Sequence, residues 1–196
     1  MTETQKQRWE LAHKFVYKLD LLDGPDGRRR LAELRRAAHD PLTDVRIFSV
    51  IGDDLPSDAG HKELDIYRIV AVLIALHKQK VNGKRLPAFE RGKAEDGRTS
   101  AESFGVSLRR LRASLKNGQE SLDQRFGALL NSHSDDLYYH LRQMVQRIAG
   151  RDEIIPINYT RLALDLLDWD HPSRIVQRTW ARHYWQSPSR DQEVAA

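Results

Sequence analysis

The chain has 196 residues, 32 Lys and Arg against 28 Asp and Glu, and no cysteine. That excludes a disulfide framework, a thiolate metal site and a thiol nucleophile, and it fits a reducing, cytoplasmic setting. The N-terminal stretch has no apolar signal segment, and the longest apolar run, Ile69 to Leu76, is far short of the ~20 residues that a spanning helix needs, so a soluble protein is expected.

Trp9, Ala12, Phe15, Val16, Leu19 and Leu22 recur at three and four residues and predict an amphipathic helix, ended by the turn formers Gly24-Pro-Asp-Gly27. A second helix follows, with Leu31, Leu34 and Ala38 inward and Arg28, Arg29, Arg35 and Arg36 outward. Asp40-Pro41 reads as a cap and first residue of a short helix to about Ile51, closed by Gly52 to Pro56. Residues 61–80 are the most apolar helix. Its run Ile69–Leu76 also suits a buried strand, but no alternating strand pattern occurs elsewhere, so the helix is kept.

Periodicity stops from Val81 to Ser103, a stretch of glycines, prolines and charges that predicts a mobile loop or linker. Phe104, Leu108, Leu111 and Leu115 mark the next helix, ended by Asn117-Gly118. Ser121-Leu-Asp-Gln124 reads as a capping box for a helix carrying Leu122, Phe126, Leu129 and Leu130. Ser134-Asp-Asp136 opens a helix with Leu137, Leu141, Met144, Val145 and Ile148 inward. Tyr159, Leu162, Ala163 and Leu166 mark another. His171-Pro172 opens the last, with Val176, Trp180 and Tyr184 inward. The expectation is an all-α fold of about nine helices in two small bundles, 1–80 and 104–186, joined by the 81–103 loop and followed by a polar tail, 187–196.

Three chemistries were weighed from the residues. Eight histidines include no pair at i, i+4 and no H-E-x-x-H. His39-Asp40 resembles the paired ligands of helical metal phosphohydrolases, with His13 and Asp65 as the partners it would need, yet capping explains Asp40 more simply. Asp165, Asp168 and Asp170 are an acidic cluster in which Arg161, four residues before Asp165, points to surface pairing and capping. With these readings set aside, no cofactor, resident metal or catalytic residue is expected.

The charge distribution is more informative than the total. Residues 1–60 hold 10 basic and 11 acidic groups, whereas residues 104–151 hold 8 and 4. Arg109, Arg112 and Lys116 lie on one helical stripe with Arg110 at its edge, and no acidic residue falls between Gly105 and Gln119. Arg125 and Arg142 follow on later helices, and Arg35 and Arg36 could join from the N-terminal half. Guanidinium groups suit phosphate, and no base-reading motif accompanies them, so the stripe is either a solvated helix face or a surface that tracks a nucleic-acid backbone without sequence preference. A sequence-specific helical regulator is the alternative binding class. Trp169, Trp180, Trp185, Tyr159 and Tyr184 cluster near the C-terminus, where helical spacing favours core or subunit interface over base stacking.

Several segments together resemble a known family. They are Gly105-Val-Ser-Leu-Arg-Arg-Leu111, Gln124-Arg-Phe-Gly-Ala-Leu-Leu130, Leu141-Arg-Gln-Met-Val145, Ile157-Asn-Tyr-Thr-Arg-Leu-Ala-Leu-Asp-Leu-Leu-Asp-Trp169 and Val176-Gln-Arg-Thr-Trp-Ala-Arg-His-Tyr-Trp185. Asp26-Gly-Arg-Arg-Arg-Leu-Ala-Glu-Leu-Arg-Arg36 adds an N-terminal match. Their order and spacing resemble CasB, the small subunit of the type I-E CRISPR complex Cascade. The resemblance implies a non-catalytic, all-helical protein that pairs with a second copy, sits beside the subunits holding the guide RNA (crRNA), and steadies target DNA and its displaced strand. It implies basic sites at Arg35, Arg36, Arg110, Arg125 and Arg142; Arg109, Arg112 and Lys116 come from the helical stripe. Where the family has a basic residue at the start of its central helix, this chain has His61-Lys62.

Overall fold

The structure, a computed structural model, describes residues 3–56, 59–80 and 102–186. They form nine α-helices: α1 (Glu3–Asp20), α2 (Gly24–Arg36), α3 (Phe48–Ile51), α4 (His61–Lys80), α5 (Phe104–Ser114), α6 (Gln119–Leu130), α7 (Ser134–Ala149), α8 (Tyr159–Leu167) and α9 (Ile175–Trp185). No strand occurs among the described residues, so the all-α expectation holds. The loop expected at 81–103 lies outside the described residues except for Glu102 and Ser103, and the tail lies wholly outside them.

Helix α4 organises the rest. Every residue from Ile66 to Lys78 is buried, so α4 has no solvent face over this length and must be wrapped on all sides. α1 and α2 cover part of it, and α7 and α8 pack on it from the other half of the chain. α1 also touches α8, and the buried apolar residues of α1–α4 and of α5–α9 form one contiguous cluster.

Polar side chains tie the wrapping helices to α4. Tyr159 Oη donates to Leu73 O (3.2 Å) and Arg35 to Ala75 O (3.4 Å). Buried Lys78 donates to Asp20 O (2.6 Å) at the end of α1. Arg68 donates to Leu42 O (2.7 Å) with its guanidinium 4.9 Å from the Phe48 ring centre. Each bond satisfies a charge or hydroxyl that burial would otherwise leave costly.

Helix starts differ from the sequence expectation at four places, each for a local reason. Gly24–Gly27 does not break the chain but forms the first turn of α2. Asp23 accepts from Gly24 N (2.7 Å), Pro25 needs no donor there, and Gly27 lies where a Cβ would stand 2.7 Å from the Leu22 carbonyl carbon. Asp40 closes a turn instead of capping a helix: it accepts from Leu42 N (3.2 Å), Thr43 N (3.3 Å) and Thr43 Oγ1 (2.7 Å). The helical path resumes only after Asp44, which accepts from Arg46 N (3.0 Å). Gly118, at φ 85°, starts α6 at Gln119, so Ser121 is already helical and Asp123 is free for a distant partner. α9 begins at Ile175, past His171-Pro172, because Arg174 turns the chain in the left-handed region (φ 50°).

α5 and α9 pack closely through Gly105, whose Cβ, if present, would lie 2.3 Å from Trp180 O. At the far end of α4, His77 is only 1 % exposed, with its ring 5.9 Å from Tyr159. Burial pushes its pKa down to about 4, against a smaller opposing effect of a hydrogen bond to the Ile155 backbone. The unfolded chain therefore binds more protons than the native one between its ordinary value near 6.5 and 4. His77 contributes stability above that window that is lost as pH falls through it, up to about 3 kcal/mol. Urea unfolding of wild type and His77→Leu from pH 7 to 4 should show a shallower loss in the variant; equal slopes would contradict this assignment.

Candidate nucleic-acid interface

The core-facing leucines of α5 turn Arg109, Arg110 and Arg112 outward, as the periodicity predicts. They are nonetheless engaged. Arg110 forms a two-pronged pair with Glu102 (2.7 and 2.8 Å), and Arg112 one with Asp123 (2.8 and 3.1 Å). The absence of acidic residues from 105 to 119 was thus no guide to free charge, because the carboxylates come from just outside that window. Arg109 donates to Gln186 O (3.2 Å), and Lys116 is exposed with no acidic partner among the described residues.

Asp123 is the hub of this end of the molecule. It also accepts from Tyr184 Oη (2.6 Å), and Arg112 lies 5.7 Å from the Trp185 ring centre, so α5, α6 and α9 meet at one carboxylate. The Arg112 hydrogen bond holds the Asp123 carboxyl below its ordinary range, and the same bond raises Arg112. Burial, then Asp123, raises the Tyr184 phenol. Arg112 therefore acts here as a strut between helices.

A second group of cations is held differently. Exposed Arg125 on α6 donates to the Gln143 amide oxygen (2.6 Å) on α7, the helix that also carries Arg142 and Arg147. Arg142 has no acidic partner among the described residues, and its buried Nε lacks a hydrogen-bond partner there. One turn earlier, Tyr138 donates to Ala38 O (2.5 Å), joining this face of α7 to the end of α2; burial lifts its pKa to about 12. At that end Arg36 is exposed and pairs with Glu33 (2.5 Å), while Arg35 is half-buried against α4, with its pKa lowered by burial. The structure thus brings Arg125, Arg142 and the end of α2 towards one face and sets the α5 arginines against α6 and α9.

The rejected sites have structural roles. Both Asp40 oxygens are used in its turn, Asp65 pairs with Arg68 (3.4 Å), and His13 stacks on Trp9. No three metal-ligating side chains converge among the described residues. The acidic cluster separates: Asp170 pairs with Lys62 (3.0 Å) and Asp168 with Arg8 (4.0 Å). Asp165 is not the surface pair its spacing suggested. It is 3 % exposed, held by Arg161 Nε (2.7 Å) and Trp180 Nε1 (2.6 Å), and burial raises its pKa. Of the clustered aromatics, Trp169, Trp180, Tyr159 and Tyr184 are core, and Trp185 is exposed.

A family model described as CRISPR-associated protein Cse2 matches residues 30–185. The chain belongs to the Cse2, or CasB, family. A Cse2 protein of Thermus thermophilus is 36 % identical over 89 residues, 45 % of this chain and 50 % of that protein, so the chain spans half of that relative's length. The crystal structure of M. ruber CasB superposes with a TM-score of 0.66 at 27 % identity, covering 95 % of this chain and 98 % of that one. A chain of a CRISPR RNA-guided surveillance complex shares the fold, with a TM-score of 0.62 at 24 % identity and coverage of 91 % of both chains. The family model begins inside α2, so α1 is placed by the structural relatives alone.

Arg110 and Arg112 carry similar ion pairs in different settings, one at the edge and one between three helices. An exposed pair contributes little to stability. Arg112→Gln should therefore lower the melting temperature clearly more than Arg110→Gln in thermal unfolding at neutral pH; equal effects would remove the strut role.

Proposed function

We propose that this protein is the small, non-catalytic subunit of a type I-E CRISPR surveillance complex, Cascade, and that it stabilises the R-loop by holding nucleic-acid backbone. The observation that carries the reading is that Arg125 on α6, bonded to Gln143 of α7, and Arg142 on α7 have no carboxylate partner among the described residues, in a chain of the Cse2 family. Each phosphate neutralised there releases counterions, and no base-reading element accompanies the cations. Sequence is read instead by the guide, and R-loop formation is a near-balanced exchange that modest backbone contacts can tip.

Arg36, at the end of α2, adds to this surface; Lys116 and Arg109 are further phosphate contacts at the α5 end, whereas Arg35, Arg110 and Arg112 contribute mainly through packing and pairing. The partners are the other Cascade subunits with their crRNA, target DNA including its displaced strand, and a second copy of the chain. Exposed Leu42, Val45 and Phe48 offer an apolar contact for a subunit neighbour. The two halves, 1–80 and 104–186, share one core around α4 and so enter the complex together, and the setting is cytoplasmic. The absence of catalysis is supported by the use of Asp40, Asp65 and Asp165 in structural bonds.

The test is the double variant Arg125→Gln with Arg142→Gln. Binding to duplex DNA should weaken, with the slope of log affinity against log salt falling by up to about 2, roughly one per phosphate contact. Circular dichroism should show unchanged helicity. An unchanged affinity and slope, or a strong preference for one DNA sequence, would contradict the proposal.

A further inference from the structure

Arg36, Arg110 and Arg112 bond carboxylates, which fix the side chain and cancel its charge. Arg109 and Arg174 bond backbone carbonyls at helix ends. Arg125 is held in another way. It stands exposed on α6, and its Nη1 donates to the amide oxygen of Gln143 (2.6 Å), a half-buried side chain of α7. α6 and α7 pack against each other, so this bond crosses the seam between two helices.

An amide oxygen is a neutral acceptor. It sets the direction of the guanidinium without cancelling the charge. The bond takes up Nη1 and leaves the edge formed by Nε and Nη2 for a two-pronged contact with phosphate, the same edge that Arg112 spends on Asp123. A loose arginine gives up rotamer freedom when it meets a phosphate. One that is already held gives up less, so the bond lowers the cost of binding.

Nothing in the helix itself calls for glutamine here. Glutamate forms helix about as well. At position 143 it would lie four residues before Arg147, the favourable order for an ion pair, and it would also meet Arg125. The chain instead places the neutral isostere there, in a stretch from Leu137 to Arg151 that holds no acidic residue.

We propose that Gln143 is a positioning residue for phosphate binding: its amide oxygen holds Arg125 across the seam between α6 and α7 and leaves the charge available. The inference deepens the proposed function and rests on its reading of Arg125 as a phosphate contact.

The experiment measures binding of the full chain to a short mixed-sequence DNA duplex by anisotropy at several salt concentrations, with circular dichroism on every variant. Gln143→Met keeps the length of the side chain and removes the amide oxygen. Its affinity should fall about threefold with an unchanged salt slope, because the charge stays but is no longer held. Gln143→Glu should reduce the salt slope by about 0.9, the share of one phosphate, because the new carboxylate claims Arg125. In an Arg125→Gln background Gln143→Met should have no further effect, whereas a merely structural role would cost the same in both backgrounds. Should Gln143→Met lose helicity, Gln143→Glu carries the test. An equal loss in both backgrounds, a wild-type slope for Gln143→Glu, or wild-type binding by Arg125→Gln alone would overturn the positioning role. The proposed function still stands in each of these cases if Arg125→Gln with Arg142→Gln weakens binding; if that double variant binds like wild type, both fall.

Discussion

A helix with no solvent face is the constraint from which the rest follows. From Ile66 to Lys78 α4 exposes nothing, so helices from both ends of the chain must close over it. Burying its apolar side chains, each contributing roughly 1.5–3 kcal/mol, outweighs the cost of bringing α7 and α8 back across the sequence. The polar anchors Tyr159, Arg35 and Lys78 then help fix where the covering helices sit, because each donates to a backbone carbonyl across a helix contact.

The same constraint sorts the cations. Charge adjacent to α4 is consumed by burial, as for Lys78, Arg68 and Arg35. Charge between outer helices is consumed by pairing, as for Arg112 with Asp123. The cations left without a carboxylate partner among the described residues, such as Arg125 and Arg142, lie on outer helices rather than on α4. A count of basic residues along the chain mixes these three fates, and only packing separates them.

That is why the fold was more legible than the site. Helical periods of three and four residues come from the same burial that builds the core, so Phe15 with Leu19 and Leu141 with Met144 announce their faces directly. Helix starts were harder. Whether Asp40 caps a helix or closes a turn depends on where its carboxylate bonds, and the word Asp-Pro is compatible with both. Arginine partners were hardest, because Glu102 and Asp123 meet Arg110 and Arg112 through loop geometry that spacing does not encode.

The proposed function rests on the family, the α4-centred fold and the cations without a carboxylate partner among the described residues. On that proposal a modest basic surface suffices, because the guide and the other chains carry the rest of the binding. The most direct measurement is the lifetime of an R-loop formed by the guide-RNA complex with and without this chain. The account predicts a clearly shorter lifetime when the chain is omitted, restored by adding it back. An R-loop equally long-lived in its absence would contradict the account.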